Sequence, residues 1–319
     1  MIMKVALCGA WHVHARDYIK KALELSEVVG VWEEDEARRK SFCQEFNLPA
    51  FDSLDALLAS DAEGVIVCTS SDTHADVMVK IADAGKHIFT EKVLALTDED
   101  CDRVAEAVAR NGINFVISLV HKYRPGPLTV KQVVDSGELG KINYVRVRNC
   151  HNGSVGCWLP KHFYNAKECG GGAMIDLGAH GMYLIDWLVG APDTYRSVFT
   201  NAATDPRAIE KNPDGVEDNA VTVMGYQNGC IAINETGFVS TSYPQILEVG
   251  GDRGSVIMTG GEVIKRTNST EGKAQAVSLC DPLPSPIVQF LTNSILPGCG
   301  LTEAKALTHM MVGAYGEGC

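Results

Sequence analysis

The chain has 319 residues, of which 45% are hydrophobic and 21% are charged, a balance typical of folded globular proteins rather than of disordered or fibrous chains. This length is sufficient for two ordinary domains. The chain carries 40 acidic and 28 basic residues, and its net charge of −12 argues against nucleic acid as a partner, because a phosphate backbone would be repelled.

The cysteines and the apolar segments indicate the compartment. There are 11 cysteines, scattered from Cys8 to Cys319 without a CxxC pair or metal-like spacing, and this pattern favours reduced thiols. The apolar stretch at residues 5–10 is too short for a signal sequence, and no apolar run approaches the length of a membrane span. We therefore expect a cytoplasmic protein without a membrane partner.

Short apolar runs alternate with amphipathic stretches through the first part of the chain. The predicted strands are residues 4–8, 28–32, 64–68, 87–89 and 114–117, and the predicted helices are residues 15–25, 35–46, 73–84 and 98–110. This alternation predicts right-handed βαβ units, and therefore a doubly wound parallel sheet with helices on both faces. We assign residues 1–122 to such a Rossmann domain.

The pattern changes after the Tyr-Arg-Pro-Gly-Pro segment at residues 123–127. A helix is predicted at residues 128–136 and a closing helix at 301–315, whereas residues 142–148, 220–226, 230–235 and 245–249 alternate with period two. Alternation of this kind predicts a largely antiparallel, open sheet. We assign residues 123–319 to a second, α+β domain, whose open sheet favours a homodimer or homotetramer.

The end of the first predicted strand has features of a dinucleotide-binding turn. A strand that ends at a glycine and leads into a helix is where the pyrophosphate binds in Rossmann folds. Gly9 supplies the first glycine of the GxGxxG fingerprint, but Trp11 and His14 stand at the second and third glycine positions. The turn by itself is therefore equally compatible with an ordinary strand-to-helix connection.

The second predicted strand ends in a carboxylate that bears on the type of dinucleotide. Glu33 lies at about the distance past the turn at which a carboxylate binds the adenosine ribose hydroxyls. A carboxylate about 5 Å from a 2′-phosphate costs on the order of 3 kcal/mol per unit charge, which favours NAD over NADP. Two alternatives stay open: Glu33 is merely an exposed strand end, or the neighbouring Glu34 takes the role.

Three later segments resemble the motifs of a known family. They are Val-Ile-Val-Cys-Thr-Ser-Ser-Asp-Thr-His at residues 65–74, Ala-Gly-Lys-His-Ile-Phe-Thr-Glu-Lys at 84–92 and Gly-Gly-Gly-Ala-Met-Ile-Asp-Leu-Gly-Ala-His at 170–180. They are similar to the TPNxxH, AGKHVxxEKP and GGGxxxDxGxH segments of the glucose-fructose oxidoreductase and inositol dehydrogenase (Gfo/Idh/MocA) family. With residues 135–142 and 215–220, the resemblance covers nearly the whole chain. Two departures are Val93 in place of the family's proline and the degenerate glycine turn.

The resemblance implies an NAD-dependent dehydrogenase that acts on CH–OH groups, with residues 123–319 forming the substrate-binding and oligomerisation domain. The implied catalytic residues are Lys92, Asp176 and His180. The expected cofactor-binding residues are Gly9, Ala10, Trp11, His12, Val13, Glu33, Thr69, Ser70, His74, Glu91 and Lys92.

The chemistry of the three catalytic candidates suits the oxidation of an alcohol, which needs a hydride acceptor and a base for the hydroxyl proton. Asp176 and His180 are four residues apart in a predicted helix, so both side chains lie on one face. Histidine titrates at about pH 6.5 and suits proton transfer, with Asp176 holding its ring. Lys92 would donate to the substrate oxygen. Each residue alone is more typical of a solvated surface group, and their joint occurrence favours catalysis.

The polar and aromatic residues that lie in the sequence between the cofactor half and the predicted catalytic helix suit a sugar. The candidate substrate contacts are Lys122, His151, Asn152, Trp158, His162, Tyr164 and Asn165. Aromatic faces stack on C–H surfaces, and amides and imidazoles bridge vicinal hydroxyls. An equally simple interpretation is that Trp158 and Tyr164 pack the core of the second domain. His12 and His14 form an HxH pair, but because no third ligand lies nearby in the sequence we expect no metal.

The predicted function is hydride transfer between NAD and a secondary alcohol carbon of a sugar, an inositol or a related polyol. One alternative is the same fold acting on a non-sugar substrate such as a dihydrodiol. The other is a catalytically silent, dinucleotide-binding sensor, which the degenerate turn and Val93 would permit. The presence of Lys92, Asp176 and His180 favours the enzyme, because a sensor needs no acid–base pair.

Overall fold

The structure is a computed structural model that describes residues 2–240 and 245–316. The chain divides into two compact units. The first comprises Met1–Leu119 and Pro284–Thr308, and the second comprises Val120–Leu283 and His309–Cys319. The division near residue 120 is close to the predicted boundary, whereas the assignment of residues 284–308 differs from the prediction.

The first unit is built on five parallel strands in the order β2-β1-β3-β4-β5. The strands are β1 (Lys4–Cys8), β2 (Glu27–Trp32), β3 (Gly64–Val67), β4 (His87–Thr90) and β5 (Phe115–Ile117). The helices between them are α1 (Ala15–Leu25), α2 (Glu36–Phe46), α3 (Leu54–Leu58), α4 (His74–Asp83) and α5 (Asp98–Asn111). The predicted Rossmann sheet is confirmed, and the short α3 is an addition that the sequence pattern did not indicate.

Local sequence explains where these helices begin. The Asp35 side chain accepts the N–H of Arg38 at the start of α2, and the Thr97 side chain accepts the N–H of Asp100 at the start of α5. Such caps satisfy backbone donors that have no partner within the helix. α5 ends at Gly112, whose φ of +62° is the left-handed conformation typical of a helix end.

The second unit contains an eight-stranded sheet in the order β13-β12-β11-β10-β6-β9-β8-β7, in which only the β6–β9 pair is parallel among the described strands. The helices are α6 (Pro125–Asp135), α7 (Ala166–Cys169), α8 (Ala179–Val189) and α9 (Pro206–Lys211). The strands are β6 (Ile142–Cys150), β7 (Thr194–Thr200), β8 (Asn219–Gly225), β9 (Ile231–Gly237), β10 (Ile246–Gly251), β11 (Gly254–Thr259), β12 (Glu262–Thr267) and β13 (Gln275–Ala276). The predicted α+β domain with a largely antiparallel sheet is confirmed.

The two faces of the large sheet have different surroundings. Helices α6 and α8 pack against one face, where Val145, Val147 and Ala232 are fully buried. On the opposite face, Val223 and Ile231 are 41% and 49% exposed. Because successive strand residues point to opposite faces, this alternation is the source of the period-two pattern in the sequence.

The chain returns to the first unit through α10 (Pro286–Leu291) and the first part of α11 (Leu301–Tyr315). α10 packs on α1 and β5, and the Phe290 ring lies 5.9 Å from that of Phe89, between ring centroids. The N–H of Ile117 donates to the carbonyl of Cys299 at 2.8 Å. These contacts are long-range in sequence, which is why the pattern of residues did not reveal the return.

The helices and the cysteines were compared with the expectations for membrane spans and for thiols. No helix within residues 2–240 or 245–316 combines the length and apolar character that a membrane span requires. All ten cysteines that the structure describes are free thiols, and seven of them are buried.

Candidate active site

The loops that follow β1 and β3 contact each other where the strand order of the first sheet reverses. The N–H of His12 donates to the carbonyl of Cys68 at 3.1 Å. Gly9 has a φ of +89°, and a Cβ at this position would lie 2.5 Å from the backbone nitrogen of Thr69. The approach of the two loops therefore requires glycine at position 9. In doubly wound sheets this reversal, at the carboxyl ends of the strands, is where ligands bind.

The carboxylate of Glu33 lies beside the turn after β1. Its Oε2 accepts the N–H of Ala10 at 2.6 Å, and its Oε1 accepts the N–H of Asp35 at 3.0 Å. The side chain is buried, whereas Glu34 is exposed. A carboxylate offers about four acceptor positions, so Glu33 can accept further hydroxyl donors. A carboxylate at the end of β2, next to this turn, fits the ribose of a dinucleotide.

Two arginines lie close to Glu33. Arg38 Nε is 3.9 Å from Glu33 Oε1, and Arg39 donates to the backbone carbonyl of Glu33 at 2.9 Å. Arginines in this region are the groups that accommodate a 2′-phosphate in NADP-binding Rossmann folds. The local charge is therefore mixed, with one buried carboxylate and two guanidinium groups.

The turn that replaces the glycine-rich fingerprint is filled by side chains. Trp11 and His12 are buried, Val13 is 41% exposed, and α1 begins two residues later at Ala15. His14, the residue before α1, forms no side-chain cap with the helix. Its ring instead points to a carboxylate from another part of the unit.

That carboxylate is Glu91, which follows β4. His14 Nδ1 lies 2.9 Å from Glu91 Oε1, the Tyr18 hydroxyl donates to the same oxygen, and the N–H of Lys92 donates to Oε2 at 3.1 Å. Burial alone would raise the pKa of the Glu91 carboxyl, but His12, His14 and Lys92 outweigh it and hold the pKa well below its usual range. Glu91 is thus an ionised, buried group.

Lys92 is itself buried, at 6% exposure, and is not the solvated surface lysine of the simpler interpretation. The peptide bond between Lys92 and Val93 is cis.

The ring of His74, the first residue of α4, lies between two carbonyls: Nδ1 is 2.8 Å from the oxygen of Val93 and Nε2 is 3.2 Å from that of Thr69. Burial lowers the pKa of His74. His74 therefore links the loops after β3 and β4.

All of the predicted cofactor-binding residues lie in the first unit, at the carboxyl ends of its strands or at the start of α4. Gly9, Ala10, Trp11, His12 and Val13 follow β1, Glu33 follows β2, Thr69 and Ser70 follow β3, Glu91 and Lys92 follow β4, and His74 begins α4. Their assignment to the cofactor stays a prediction.

In the second unit, the glycine-rich segment before α8 is held by a buried carboxylate. Glu217 accepts the N–H of Gly172 at 3.0 Å and that of Met174 at 2.9 Å. The Tyr315 hydroxyl donates to Glu217 at 2.7 Å and accepts the N–H of Ile175 at 3.1 Å. Negative charge at the start of a helix is favourable, because the backbone donors there have no partner within the helix.

This helix starts with a π-helical turn over Met174–Gly178 and continues as α8. Asp176 lies in the π-helical turn and is half-buried, and His180 lies in the first turn of α8 and is buried. Isolated π-helical turns occur often at functional sites. The wider turn changes the angular offset between Asp176 and His180 from that of the regular α-helix assumed in the sequence analysis.

His180 is packed against two residues that the sequence analysis did not single out. Its Nδ1 lies 2.9 Å from the Tyr183 hydroxyl, and the Tyr183 hydroxyl accepts the backbone N–H of His121 at 3.1 Å. The rings of His121 and His180 meet edge to face, with centroids 4.5 Å apart. The spacing of Tyr183 three residues after His180 is a signal that could have identified it. No local pattern pointed to His121.

The predicted substrate contacts fall into different environments within the second unit. Tyr164 is buried in a cluster with Phe163 and Phe238, and its hydroxyl lies 2.7 Å from that of Ser154, as the core interpretation expected. Trp158 is 53% exposed and donates to Asn152 Oδ1 at 2.9 Å. Its ring centroid lies 4.7 Å from that of His151.

The remaining predicted contacts are Lys122, His162 and Asn165. Lys122 is buried and its Nζ lies 5.6 Å from the ring centroid of Trp187. Asn165 caps α7, accepting the N–H groups of Lys167 and Glu168, while His162 and Asn165 line one cavity of about 460 Å³. The substrate role of all these residues stays a prediction.

Two stretches of the chain match known sequence families. Residues 3–118 match the oxidoreductase family with an NAD-binding Rossmann fold, and residues 128–257 match the GFO/IDH/MocA C-terminal domain. The chain belongs to the Gfo/Idh/MocA family of oxidoreductases. The family resemblance predicted from three short segments is thereby confirmed for both units.

Relatives within the Gfo/Idh/MocA family include inositol dehydrogenases. Inositol 2-dehydrogenase of Salmonella typhimurium is 35% identical over 161 residues, covering 49% of this chain and 48% of that protein. The scyllo-inositol 2-dehydrogenase (NAD(+)) of Bacillus subtilis is 28% identical over 197 residues, covering 61% of this chain and 55% of that protein. The chain thus spans about half the length of the curated relatives it matches.

Solved structures show the same fold. The aldose-aldose oxidoreductase of Caulobacter crescentus, complexed with glycerol, aligns with a TM-score of 0.80 at 18% identity, covering 99% of this chain and 97% of that chain. At this identity the likeness establishes the architecture alone.

Proposed function

We propose that this protein is an NAD-dependent dehydrogenase that oxidises a secondary alcohol carbon of a sugar, an inositol or a related polyol. The proposal rests on family membership, on the names of the inositol dehydrogenases among its relatives, and on the chemistry of three residues. The observation that carries it is the pairing of buried His180 with the Tyr183 hydroxyl at 2.9 Å. When bound, NAD supplies the hydride acceptor.

His180 is assigned the role of proton acceptor for the substrate hydroxyl. The Tyr183 oxygen accepts the His121 N–H and has a second lone pair, which can accept a proton held on His180 Nδ1. In that tautomer, Nε2 is the basic nitrogen. After proton transfer, the imidazolium keeps the same Nδ1–H···O bond to Tyr183, so the pair serves both protonation states without rearrangement. Asp176 supplies negative charge near the start of the same helix.

Lys92 is assigned the role of donor to the substrate oxygen. It is buried and its backbone N–H is held by the ionised carboxylate of Glu91. A fixed positive group stabilises the alkoxide character that develops as the hydroxyl loses its proton. Lys92 belongs to the first unit and Asp176 and His180 to the second, and their joint action is part of the proposal.

The proposal also includes the type of dinucleotide, the oligomeric state and the cellular compartment. We assign NAD rather than NADP because the buried Glu33 carboxylate repels a 2′-phosphate. We assign a homodimer or homotetramer because the outer face of the large sheet exposes apolar Val198, Val223 and Ile231. We assign the enzyme to the cytoplasm because the scattered cysteines favour reduced thiols.

Initial-rate measurements test the proposal directly. The full chain is mixed with NAD and a panel containing myo-inositol, scyllo-inositol and glucose, and NADH formation is followed by absorbance. We expect turnover on at least one polyol. Lys92→Ala and His180→Ala should each lower kcat by about 10²- to 10⁴-fold, while calorimetry shows NAD affinity within a few-fold of wild type. Lys80→Ala and His87→Ala are matched controls that should change neither quantity.

Each alternative function gives a different result. NAD binding without turnover on any polyol or dihydrodiol would favour the sensor and overturn the dehydrogenase proposal. Turnover on a dihydrodiol but on no polyol would retain the enzyme and overturn the substrate class. Full activity in both variants would remove Lys92 and His180 from the reaction.

A further inference from the structure

Three potential metal ligands converge beside the turn after β1. One ring nitrogen of His12, one ring nitrogen of His14 and a carboxylate oxygen of Glu91 all lie within 4.8 Å of one another. His14 Nδ1 is 2.9 Å from Glu91 Oε1, and His12 Nδ1 is 3.8 Å from the same oxygen. The sequence analysis expected no metal because it found no third ligand near the HxH pair. The fold supplies that ligand from a residue 77 positions beyond His14.

The spacing of these atoms suits a single small ion. Ligand atoms placed about 2.0–2.1 Å from a tetrahedral ion are separated from one another by about 3.3 Å. The observed separations of 2.9 and 3.8 Å lie on either side of that value. Rotations of the two imidazoles that shift their nitrogens by about half an ångström would equalise them. The third separation, between the ligand nitrogens of the two imidazoles, is no more than 4.8 Å.

The ring of His12 is oriented by the backbone of His14. The N–H of His14 donates to His12 Nδ1 at 3.2 Å. A neutral imidazole nitrogen is the form that binds metals. Binding of an ion would replace this long hydrogen bond with a coordinate bond.

The carboxylate of Glu91 is oriented by hydrogen bonds from residues outside the proposed ligand set. The Tyr18 hydroxyl donates to Glu91 Oε1 and lies 2.7 Å from the Ser118 hydroxyl, while the N–H of Lys92 holds Glu91 Oε2 at 3.1 Å. Outer-shell hydrogen bonds of this kind fix first-shell ligands in metal sites. Glu91 is therefore positioned before any ion binds.

Solvent can reach the cluster through one of its members. The His14 side chain is 45% exposed, whereas those of His12 and Glu91 are 7% and 2% exposed. An ion could enter past His14 and keep a coordination position open to water. Three protein ligands with one open position are typical of catalytic rather than structural zinc sites.

We propose that His12, His14 and Glu91 bind a divalent transition-metal ion of the Zn²⁺ type. Two imidazoles and one carboxylate favour Zn²⁺, Co²⁺ or Ni²⁺ over Mg²⁺ and Ca²⁺, which prefer ligand sets made of oxygen. The ion would share His12 and Glu91 with the predicted cofactor site, so its binding is measured on the full chain without cofactor or substrate, where the result does not depend on the dehydrogenase function.

Cobalt absorption and zinc calorimetry test the site. The full chain is stripped with EDTA, dialysed, and titrated with Co²⁺ while the visible d–d bands are recorded. We expect one ion per chain, bands without a thiolate-to-cobalt charge-transfer transition, and loss of the bands on adding Zn²⁺. The charge-transfer test is needed because the chain has 11 cysteines that could bind metal elsewhere.

Variants decide whether the three residues form the site. His14→Ala and Glu91→Gln should each weaken Zn²⁺ binding by more than about 100-fold, beyond the range of outer-shell changes. His87→Ala, in the same unit but outside the cluster, should leave the affinity unchanged. If circular dichroism shows that Glu91→Gln does not fold, the His14→Ala variant, whose substituted side chain is half-exposed, still tests whether the cluster binds the ion. Absent binding, unchanged affinity in His14→Ala, or a thiolate transition would overturn the proposal.

Discussion

The carboxylate of Glu217 accepts the backbone N–H of Gly172 at 3.0 Å in the interior of the second unit. The two residues are also in close backbone contact, because a Cβ on Gly172 would lie 2.0 Å from the carbonyl oxygen of Glu217. This oxygen accepts the N–H of Ala173 at 2.8 Å. Glu217 and the glycine thus fix the segment that leads to Asp176 and His180.

Replacing Glu217 with glutamine should destabilise the protein. The amide nitrogen of Gln would face a backbone N–H or the Tyr315 hydroxyl, leaving a buried donor without an acceptor. We expect Glu217→Gln to lower the free energy of unfolding by about 1–3 kcal/mol, measured by urea denaturation. The exposed Glu210→Gln serves as control and should stay within about 0.5 kcal/mol of wild type. Equal stability of the two variants would show that the Glu217 carboxylate is not needed.

Cofactor choice should depend on Glu33 and not on Glu34. In Glu33→Ala the repulsion of a 2′-phosphate is lost while Arg38 and Arg39 remain, so the ratio of NADP to NAD affinity should rise by about 10- to 100-fold. Calorimetry with both dinucleotides measures this ratio. Glu34→Ala is the matched control, because Glu34 is exposed and adjacent. A change in the ratio for Glu34→Ala alone would transfer the role to that residue.

The charge of Asp176 should influence the pH dependence of the reaction. Asp176 precedes His180 by four residues in the same helical segment. Negative charge acting on an imidazole favours its protonated form, so Asp176→Asn should favour the neutral base. The rising limb of rate against pH should therefore move to lower pH, together with a fall in the maximal rate. Initial rates across pH on one good polyol substrate give the comparison. A superimposable profile at full rate would assign Asp176 a purely structural role.

Tyr183 is predicted to be a positioning residue for His180. Tyr183→Phe keeps the ring and removes the hydroxyl that contacts His180 Nδ1. The loss of a hydrogen bond contributing about 0.5–1.5 kcal/mol corresponds to a fall in kcat of about 2- to 13-fold. The pH profile should shift as well, which a loss of packing alone would not cause. An unchanged profile in this variant would contradict the tautomer assigned to His180.

Assembly should depend on the outer face of the large sheet. Val198 and Val223 are 60% and 41% exposed there, and Arg146 donates to Glu235 at 2.8 Å on the same face. Val223→Asp should dissociate the oligomer to monomers, because burying an unpaired charge in an interface is costly. Light scattering after size exclusion measures the mass. Val312→Asp, 38% exposed on α11, is the control expected to stay assembled. A monomeric wild type would remove the basis of this prediction.

The sequence by itself determined the local architecture and the family. The period of apolar residues located the strands at Lys4–Cys8 and Gly64–Val67 and the helices α1 and α5, because each element buries one face at a fixed repeat. The glycine at position 9 and the carboxylate at 33 were recognisable, because a tight turn and a strand-end acid have a fixed spacing along the chain.

Only the tertiary structure decided which distant residues act on one another. The convergence of Glu91 on His12 and His14, the capping of Gly172 by Glu217, and the contact of His121 with His180 all join segments that are separate in sequence. The return of residues 284–308 to the first unit is of the same kind. The period of apolar residues indicates which face of a helix or strand is buried, but it does not indicate which other element covers that face. Contacts between residues that are distant in sequence depend on how the elements pack, so only the tertiary structure reveals them.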